Sequence, residues 1–310
     1  MSMFVKKSVI LVKAEATLGV DPTPAEALNS IIVSDAEIKE NIEAVERNVH
    51  WAYLGTIPAL KGMQTAEVTF KVDLYGSGSM NSAPRVGALL KACALAETVN
   101  SGSNVTYQPT SSSIGSCTIY FWKDGRRYIV SGCRGDMKLT FDAGKFATAE
   151  FTMQGAYSAP AVVANPACTY ESTAKTPPVC LSANFTYNAK TTLVTKSVEL
   201  ALGNTLAKKV SLSAASGVTG FEITERKPTI TIDPECQVET SYTFRSDQLT
   251  TTRALSVAAT RASGNTITLN VPYFNLTKIE YADREGILVE KLTGEAVDSS
   301  GDDSLTLVFS

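Results

Sequence analysis

Residues 65–75 read TAEVTFKVDLY, and this stretch decides the fold class. Apolar and polar side chains alternate along it one by one, which places them on opposite faces of a half-buried β-strand. The apolar face consists of Val68, Phe70, Val72 and Leu74, and the polar face of Glu67, Thr69, Lys71 and Asp73. The same period of two recurs through most of the chain, so the sequence predicts a mainly β protein.

Tight turns join several of these alternating runs. Asp124-Gly125 lies between the apolar runs 117–122 and 126–130, and an Asp-Gly pair in that setting is a strong hairpin signal. Residues 137–154 alternate into and out of a second turn, and Gly264-Asn265 marks a third. Antiparallel pairing of neighbouring strands is therefore expected.

One helix is predicted over residues 84–98. Its apolar residues follow helical spacing, and Pro84 suits a first helical turn. A second, shorter helix is expected near residues 240–248. Each helix stands alone among strands, so each is expected to flank one sheet.

The chain divides into two halves at a Pro- and Ala-rich stretch. Residues 157–180 lose the alternation and are interpreted as a linker. This gives a first β domain at 1–156 and a second at 181–310, sizes at which each half could bury its own core. In each half a long excursion (35–63, then 204–226) precedes a central strand, a helix and a closing hairpin, and this shared order predicts an internal duplication. In the second half, two separate strands are expected at 266–271 and 278–281.

Composition excludes several functional classes. The 310 residues carry a formal net charge of −3, with no strongly basic stretch, which argues against tight nucleic-acid binding. No apolar run approaches the roughly 18 residues that span a membrane, so no membrane anchor is expected. Lys13 cuts the apolar run near the start to a length below that of a signal peptide, so residues 1–16 are interpreted as the first strand. Folding in a reducing cytoplasm, with mostly buried thiols, follows from that interpretation.

The sequence offers little for catalysis. His50 is the single histidine, so any triad or Cys-His pair would have to use it, and a loop or interface role is the simpler interpretation. No two cysteines have the Cys-x-x-Cys spacing that binds zinc. The Gly-rich stretch 76–80 lacks the further features of a phosphate loop. We therefore expect a protein that is not an enzyme and that needs no cofactor or metal.

The excursion before the first central strand is unusually apolar. It either folds back on its own core or packs against another subunit, and aromatic anchors on a projecting segment favour the second interpretation. The residues concerned are Trp51, Tyr53, Leu54, Ile57 and Leu60.

Several strings in the first half resemble the tail tube, or major tail, proteins of long-tailed non-contractile phages and prophages. The likeness covers most of the first half well and the second half loosely, and it is one of texture and order, since none of the strings is a chemical motif. The strings are 11–19 (LVKAEATLG), 21–24 (DPTP), 45–48 (VERN), 53–55 (YLG), 88–93 (ALLKAC) and 97–99 (ETV).

The resemblance implies β-sandwich or barrel domains, each flanked by a short helix, that associate into rings. The rings stack into the hollow tail tube through which DNA is delivered. A chain with two such domains would need three copies per ring, a trimer with pseudo-sixfold symmetry. The resemblance also implies a virion protein assembled in the bacterial host cytoplasm, with tape-measure, tail terminator and baseplate proteins as partners and DNA only in transit.

Two surfaces are predicted to serve this assembly. The segment 41–62, with the aromatic and aliphatic residues named above, is expected to make the ring-to-ring contact. The polar face of each central strand is expected to line the bore, with the outer surface of the tube as the alternative. The candidate bore residues are Glu67, Thr69, Asp73, Thr229, Thr231 and Asp233. Lys71 on the same face departs from a purely acidic lining.

Two other functions remain open at this point. Another tail component, such as a terminator or baseplate ring protein, would use similar domains but would make single rings. A β-sandwich ligand-binding module would present clustered exposed aromatics or acidic calcium loops, and Asp302-Asp303 is too small a cluster for such a loop.

Overall fold

The computed structural model describes residues 4, 6–80, 82–170, 176–181, 183–237, 243–261 and 264–310. Strands dominate this part of the chain, so the predicted mainly β class is confirmed. The strands of the first half are β1 (Ser8–Ala14), β2 (Ser30–Ile31), β3 (Ser34–Val45), β4 (Leu60–Asp73), β5 (Leu95–Asn100), β6 (Asn104–Pro109), β7 (Cys117–Lys123), β8 (Arg126–Asp142) and β9 (Thr148–Val162). Those of the second half are β10 (Asn184–Tyr187), β11 (Thr195–Ala201), β12 (Asn204–Val210), β13 (Val218–Arg226), β14 (Thr229–Pro234), β15 (Thr252–Thr260), β16 (Thr266–Arg284), β17 (Ile287–Ala296) and β18 (Thr306–Phe309).

The predicted Asp-Gly hairpin forms between β7 and β8. Asp124 and Gly125 both have positive φ, at 38° and 90°. A two-residue turn of this kind matches the right-handed twist of the strands it joins, and glycine adopts it at no steric cost. The turn sets the β7–β8 register near its end, where Lys123 pairs with Arg126.

The predicted helix over 84–98 is too long. The helix α2 spans only Gly87–Ala92, and a shorter helix, α1, spans Glu26–Asn29. Ala94 has a φ of 62°, which ends the helical path, and the chain then continues as β5 along β6. In the second half, Phe244–Ser246 forms a 3-10 helix; residues 240–242 of the helix expected there lie outside the described residues.

Three further expectations need correction. The two strands expected at 266–271 and 278–281 form the single strand β16, because Pro272 lies at a bulge between β15 and β16, where its missing N–H does not break the ladder. The two excursions are largely strand: 35–63 contains β3 and the start of β4, and 204–226 forms the β12–β13 hairpin. The strand β9 also runs on to Val162, inside the predicted linker.

One sheet of 16 strands collects strands from both halves, and β12 and β13 form a separate hairpin. The halves join where β8 pairs with β11 and where β18 pairs with β6. The division into domains at 1–156 and 181–310 stays a prediction, and the pairing across it bears on how cooperatively the chain unfolds.

The two halves use the same order of strand pairing. In the first half, β1 pairs with β7, β7 with β8, β8 with β9, β9 with β4 and β4 with β3. In the second half, β10 pairs with β15, β15 with β16, β16 with β17, β17 with β14 and β14 with β11. All these pairs are antiparallel, and the internal duplication expected from the sequence stays a prediction.

The apolar face of the sheet is continuous across the junction between the halves. Phe70 pairs with Phe151 in the first half, with ring centroids 5.8 Å apart. Leu139 pairs with Leu200, and Leu200 pairs with Ile230 in the second half. All five side chains are buried in one cluster, so a single hydrophobic core spans the strands of both halves.

Candidate assembly surfaces

The polar side chains of the central strands lie on one shared face of the sheet. Directly paired residues on antiparallel strands point to the same side, so a chain of pairs traces one face. Such a row starts at β4 and ends at β17. It consists of Asp73, Thr148, Thr140, Glu199, Thr231 and Thr293.

All six predicted bore residues lie on this face, which we call the polar face. Each is half-buried, and each alternates with a buried apolar neighbour, as the sequence predicted. The carboxylate of Asp233 accepts hydrogen bonds from the main-chain N–H groups of Lys196 and Ser197, at 3.0 and 2.7 Å. Glu67 accepts one from the Gln154 side chain at 3.1 Å. The strand pairing thus brings Glu67, Thr69, Asp73, Thr229, Thr231 and Asp233 together on one surface.

Two lysines of the polar face are each paired with a carboxylate. Lys71 Nζ lies 3.0 Å from Asp35 Oδ2, and this hydrogen bond raises the pKa of Lys71. Lys138 Nζ lies 2.9 Å from Glu199 Oε2, across the junction between the halves. Lys71, which departs from a purely acidic lining, is therefore paired with a carboxylate. The polar face carries charges of both signs.

Asp73 lies at the end of β4, where the sheet and its surroundings remove part of its hydration. Burial raises the pKa of this carboxyl above its ordinary value of 3.8. Asp136, further along the polar face, is also raised by burial, while main-chain N–H groups such as that of Asn204 oppose the shift. Part of the acidic character of the polar face is therefore weaker near pH 4 than at neutral pH.

The segment between β3 and β4, residues 46–59, forms a projecting arm. Trp51 is 50% exposed, Tyr53 is 73% exposed, and Leu54 is fully exposed. Leu60, at the start of β4, is exposed as well, and Ile57 is half-buried. Most of these apolar side chains are therefore exposed to solvent, and their contact with another subunit stays a prediction.

The arm has some internal order of its own. The rings of Trp51 and Tyr53 meet edge to face, with centroids 5.4 Å apart. Trp51 Nε1 donates a hydrogen bond to the main-chain oxygen of Gly55 at 2.7 Å. Such contacts present two aromatic rings together on one projecting segment.

The family model described as phage tail tube protein matches residues 6–310. The chain belongs to the phage tail tube protein family. It is accordingly a structural component of a phage tail and of the virion. A search of the curated proteins found no match.

This tail tube protein has a second projecting hairpin that the sequence analysis treated only as an excursion. The β12–β13 hairpin presents Val210 and Leu212 as exposed apolar residues near its tip. Its strand β13 packs against β8 and β9 of the first half. The contact is close, because a side chain at Gly132 would lie 2.5 Å from the Thr219 main-chain oxygen. The sequence does have a glycine on each side of this contact, Gly132 and Gly220. It does not show that the two glycines lie close together, because that depends on the fold.

The part of the chain that the structure describes contains no group of three or more His, Cys, Asp or Glu side chains placed to hold a metal. Its cysteines are free thiols, buried or half-buried, and burial raises the pKa of the Cys93 and Cys133 thiols. No described helix has the length and apolar character needed to cross a bilayer.

Proposed function

We propose that copies of this chain assemble into stacked rings that form the hollow tail tube, and that the protein has no catalytic role. The polar face carries this proposal, because it runs without interruption from the first half of the chain to the second. A sheet that continues across two similar halves is suited to form one segment of a closed wall. Negative-stain electron microscopy of the purified protein tests it: long tubes are expected, and a persistent monomer would refute it.

The arm supports the stacking of one ring on the next. Such a contact joins different surfaces of neighbouring subunits, so it does not close on itself and allows a filament to grow. Replacing Trp51 and Tyr53 with Ala is expected to leave a folded, soluble protein that no longer polymerises. Tyr53→Phe keeps the aromatic ring and serves as the matched control. Normal tubes from the double Ala variant would contradict the role of Trp51, Tyr53, Leu54, Ile57 and Leu60 in stacking.

The polar face is proposed to line the bore. A wall with an excess of carboxylates repels the phosphates of passing DNA and so lets the DNA move without specific binding. A cryo-EM map of the tube would locate Thr69 and Thr231 relative to the tube axis. Both are expected to face the axis, and an outward position would overturn the assignment.

The repeated order of strand pairing supports a ring of three chains with pseudo-sixfold symmetry. The same cryo-EM map decides the point through its rotational symmetry, since six whole chains per ring would refute it. Tape-measure, tail terminator and baseplate proteins are the expected partners of the finished tube, and the bacterial host cytoplasm is its expected place of assembly.

A single-ring tail component remains the second candidate, because an exposed arm suits a single ring as well as a tube. Electron microscopy separates the two, since a terminator or baseplate protein would stop at one ring. A β-sandwich ligand-binding module would stay monomeric at high concentration.

A further inference from the structure

The junction between the two halves shows how one copy of the repeated unit joins the next. Residues Lys138–Asp142 at the end of β8 pair antiparallel with Ser197–Ala201 of β11. In the order of pairing described above, β8 corresponds to β16, and β11 corresponds to the beginning of β3. Thr69 of β4 and Thr229 of β14 provide the anchor for this comparison, because each lies on the polar face four residues before an Asp, Asp73 and Asp233.

The counterparts of this junction are free within one copy. Among the described residues, Lys278–Arg284 of β16 pair only with β17, and β3 pairs only with β4. Within the described ranges, each of these two strands therefore presents an unpaired edge. A strand edge of this kind is a template for pairing with another chain.

The exposure of the apolar side chains on β8 and β16 also differs between the halves. Leu139 and Phe141 of β8, which β11 borders, are 0% and 3% exposed. Their counterparts on β16 are Ile279, which is half-buried, and Tyr281, which is 56% exposed. Ile279 and Tyr281 are therefore less covered than Leu139 and Phe141, and Arg245 lies over the Tyr281 ring, 5.4 Å from its centroid.

We propose that β3 of one copy pairs antiparallel with the end of β16 of the next copy, and that this contact repeats the β8–β11 junction around the ring. The inference rests on the proposed function and deepens it by naming the two edges that meet. The occupant of each edge is a second copy of this chain, because a complementary edge already pairs in this way inside the molecule.

The corresponding register places Glu37 of β3 opposite Lys278 of β16. Glu37 pairs with Thr69 of β4, just as Ala201 pairs with Thr229 of β14, and Ala201 itself pairs with Lys138 at the junction. Opposite charges on facing strands favour the pairing, whereas like charges oppose it. The internal junction has an ion pair of the same kind, between Lys138 and Glu199.

A disulfide trap tests this register in assembled tubes. Glu37→Cys combined with Lys278→Cys is expected to give covalent oligomers on a non-reducing denaturing gel after mild oxidation. The two positions lie seven strands apart within one copy, roughly 34 Å along the sheet at ~4.8 Å per strand, so the bond forms between copies. Glu43→Cys with Lys278→Cys is the matched control, because Glu43 lies about 20 Å further along the same strand.

The outcomes separate this inference from the proposed function. If the wild-type protein forms no tubes, the proposed function fails. If tubes form and the Glu37/Lys278 pair gives no more cross-linked product than the control pair and the single-cysteine variants, the pairing of these edges is overturned.

A charge exchange gives a second, independent readout. Glu37→Lys places two ammonium groups face to face and is expected to reduce tube formation at least tenfold at low salt. Adding Lys278→Glu to the same chain is expected to restore the tubes. Equal assembly by the single and the double variants would overturn the register.

Discussion

Replacing Leu200 with Ala tests whether the two halves unfold as one unit. Leu200 is 1% exposed and pairs with Leu139 of the first half and Ile230 of the second. Removing its branched end loses the burial of about three carbons and leaves a cavity that the flanking strands cannot fill. Leu→Ala changes in cores cost about 2–5 kcal/mol, and about 3 kcal/mol is expected here because strands pair with β11 on both sides.

The measurement uses two probes of urea unfolding. Trp122 is 4% exposed in β7, so its fluorescence reports on the first half, and Trp51→Phe removes the exposed second tryptophan. Far-UV circular dichroism reports on the strands of both halves. With a denaturant slope of roughly 3 kcal/mol per molar, both midpoints are expected to fall by about 1 M urea.

Val194→Ala is the matched control for this experiment. Val194 lies in the same half and is 53% exposed, so its replacement is expected to change stability by less than about 0.5 kcal/mol. If Leu200→Ala lowers the dichroism midpoint but leaves the Trp122 transition unchanged, the halves unfold independently. That result would refute the reasoning that the shared sheet couples them.

Three further changes have defined expectations. Gly125→Ala is expected to cost about 1 kcal/mol in thermal denaturation, because φ is 90° at this turn but no atom within 4 Å meets an added Cβ. Gly132→Ala is expected to cost more, since φ is 61° and the added Cβ meets the Thr219 main-chain oxygen at 2.5 Å; equal losses at the two glycines would contradict the close packing of the β12–β13 hairpin. For Asp73, whose pKa is raised by burial, wild-type stability should fall as pH rises from 3.8 through the raised value. Asp73→Asn removes this loss. Denaturation curves should therefore show the stability of the variant rising relative to that of the wild type across this pH interval, with no difference gained at pH 3.

The elements that the sequence predicted well depend on local information. The alternation in 65–75 and the Asp124-Gly125 turn specify a strand and a hairpin through neighbouring residues alone, and both are present. The same alternation separated the polar from the apolar side chains of β4 and β14. The structure places these polar residues on one face of the sheet, and their lining of the bore stays a prediction.

The elements that the sequence missed depend on distant partners. Helical spacing continued through Leu95, but Ala94 ends the helix and the following residues pair with β6. The first excursion was not recognised as a long strand because charged and polar residues dominate β3, although Ala36 and Ile38 pack against the core. The junction of β8 with β11 joins residues some 60 positions apart, and no local pattern indicates such a pairing.

The charged character of β3 has a consequence for assembly. Its edge carries Asp35, Glu37, Lys39 and Glu40, and charges of this kind keep an open strand from pairing with arbitrary chains. Pairing at such an edge is favoured only with a strand that carries the opposite charges. Lys278 supplies one such match, and in a single copy it is paired with Glu280 at 2.8 Å on the surface, an interaction that is weak and easily exchanged. In the proposed pairing, charge on the β3 edge therefore has two effects: it limits aggregation of the free subunit, and it selects the register in which copies join.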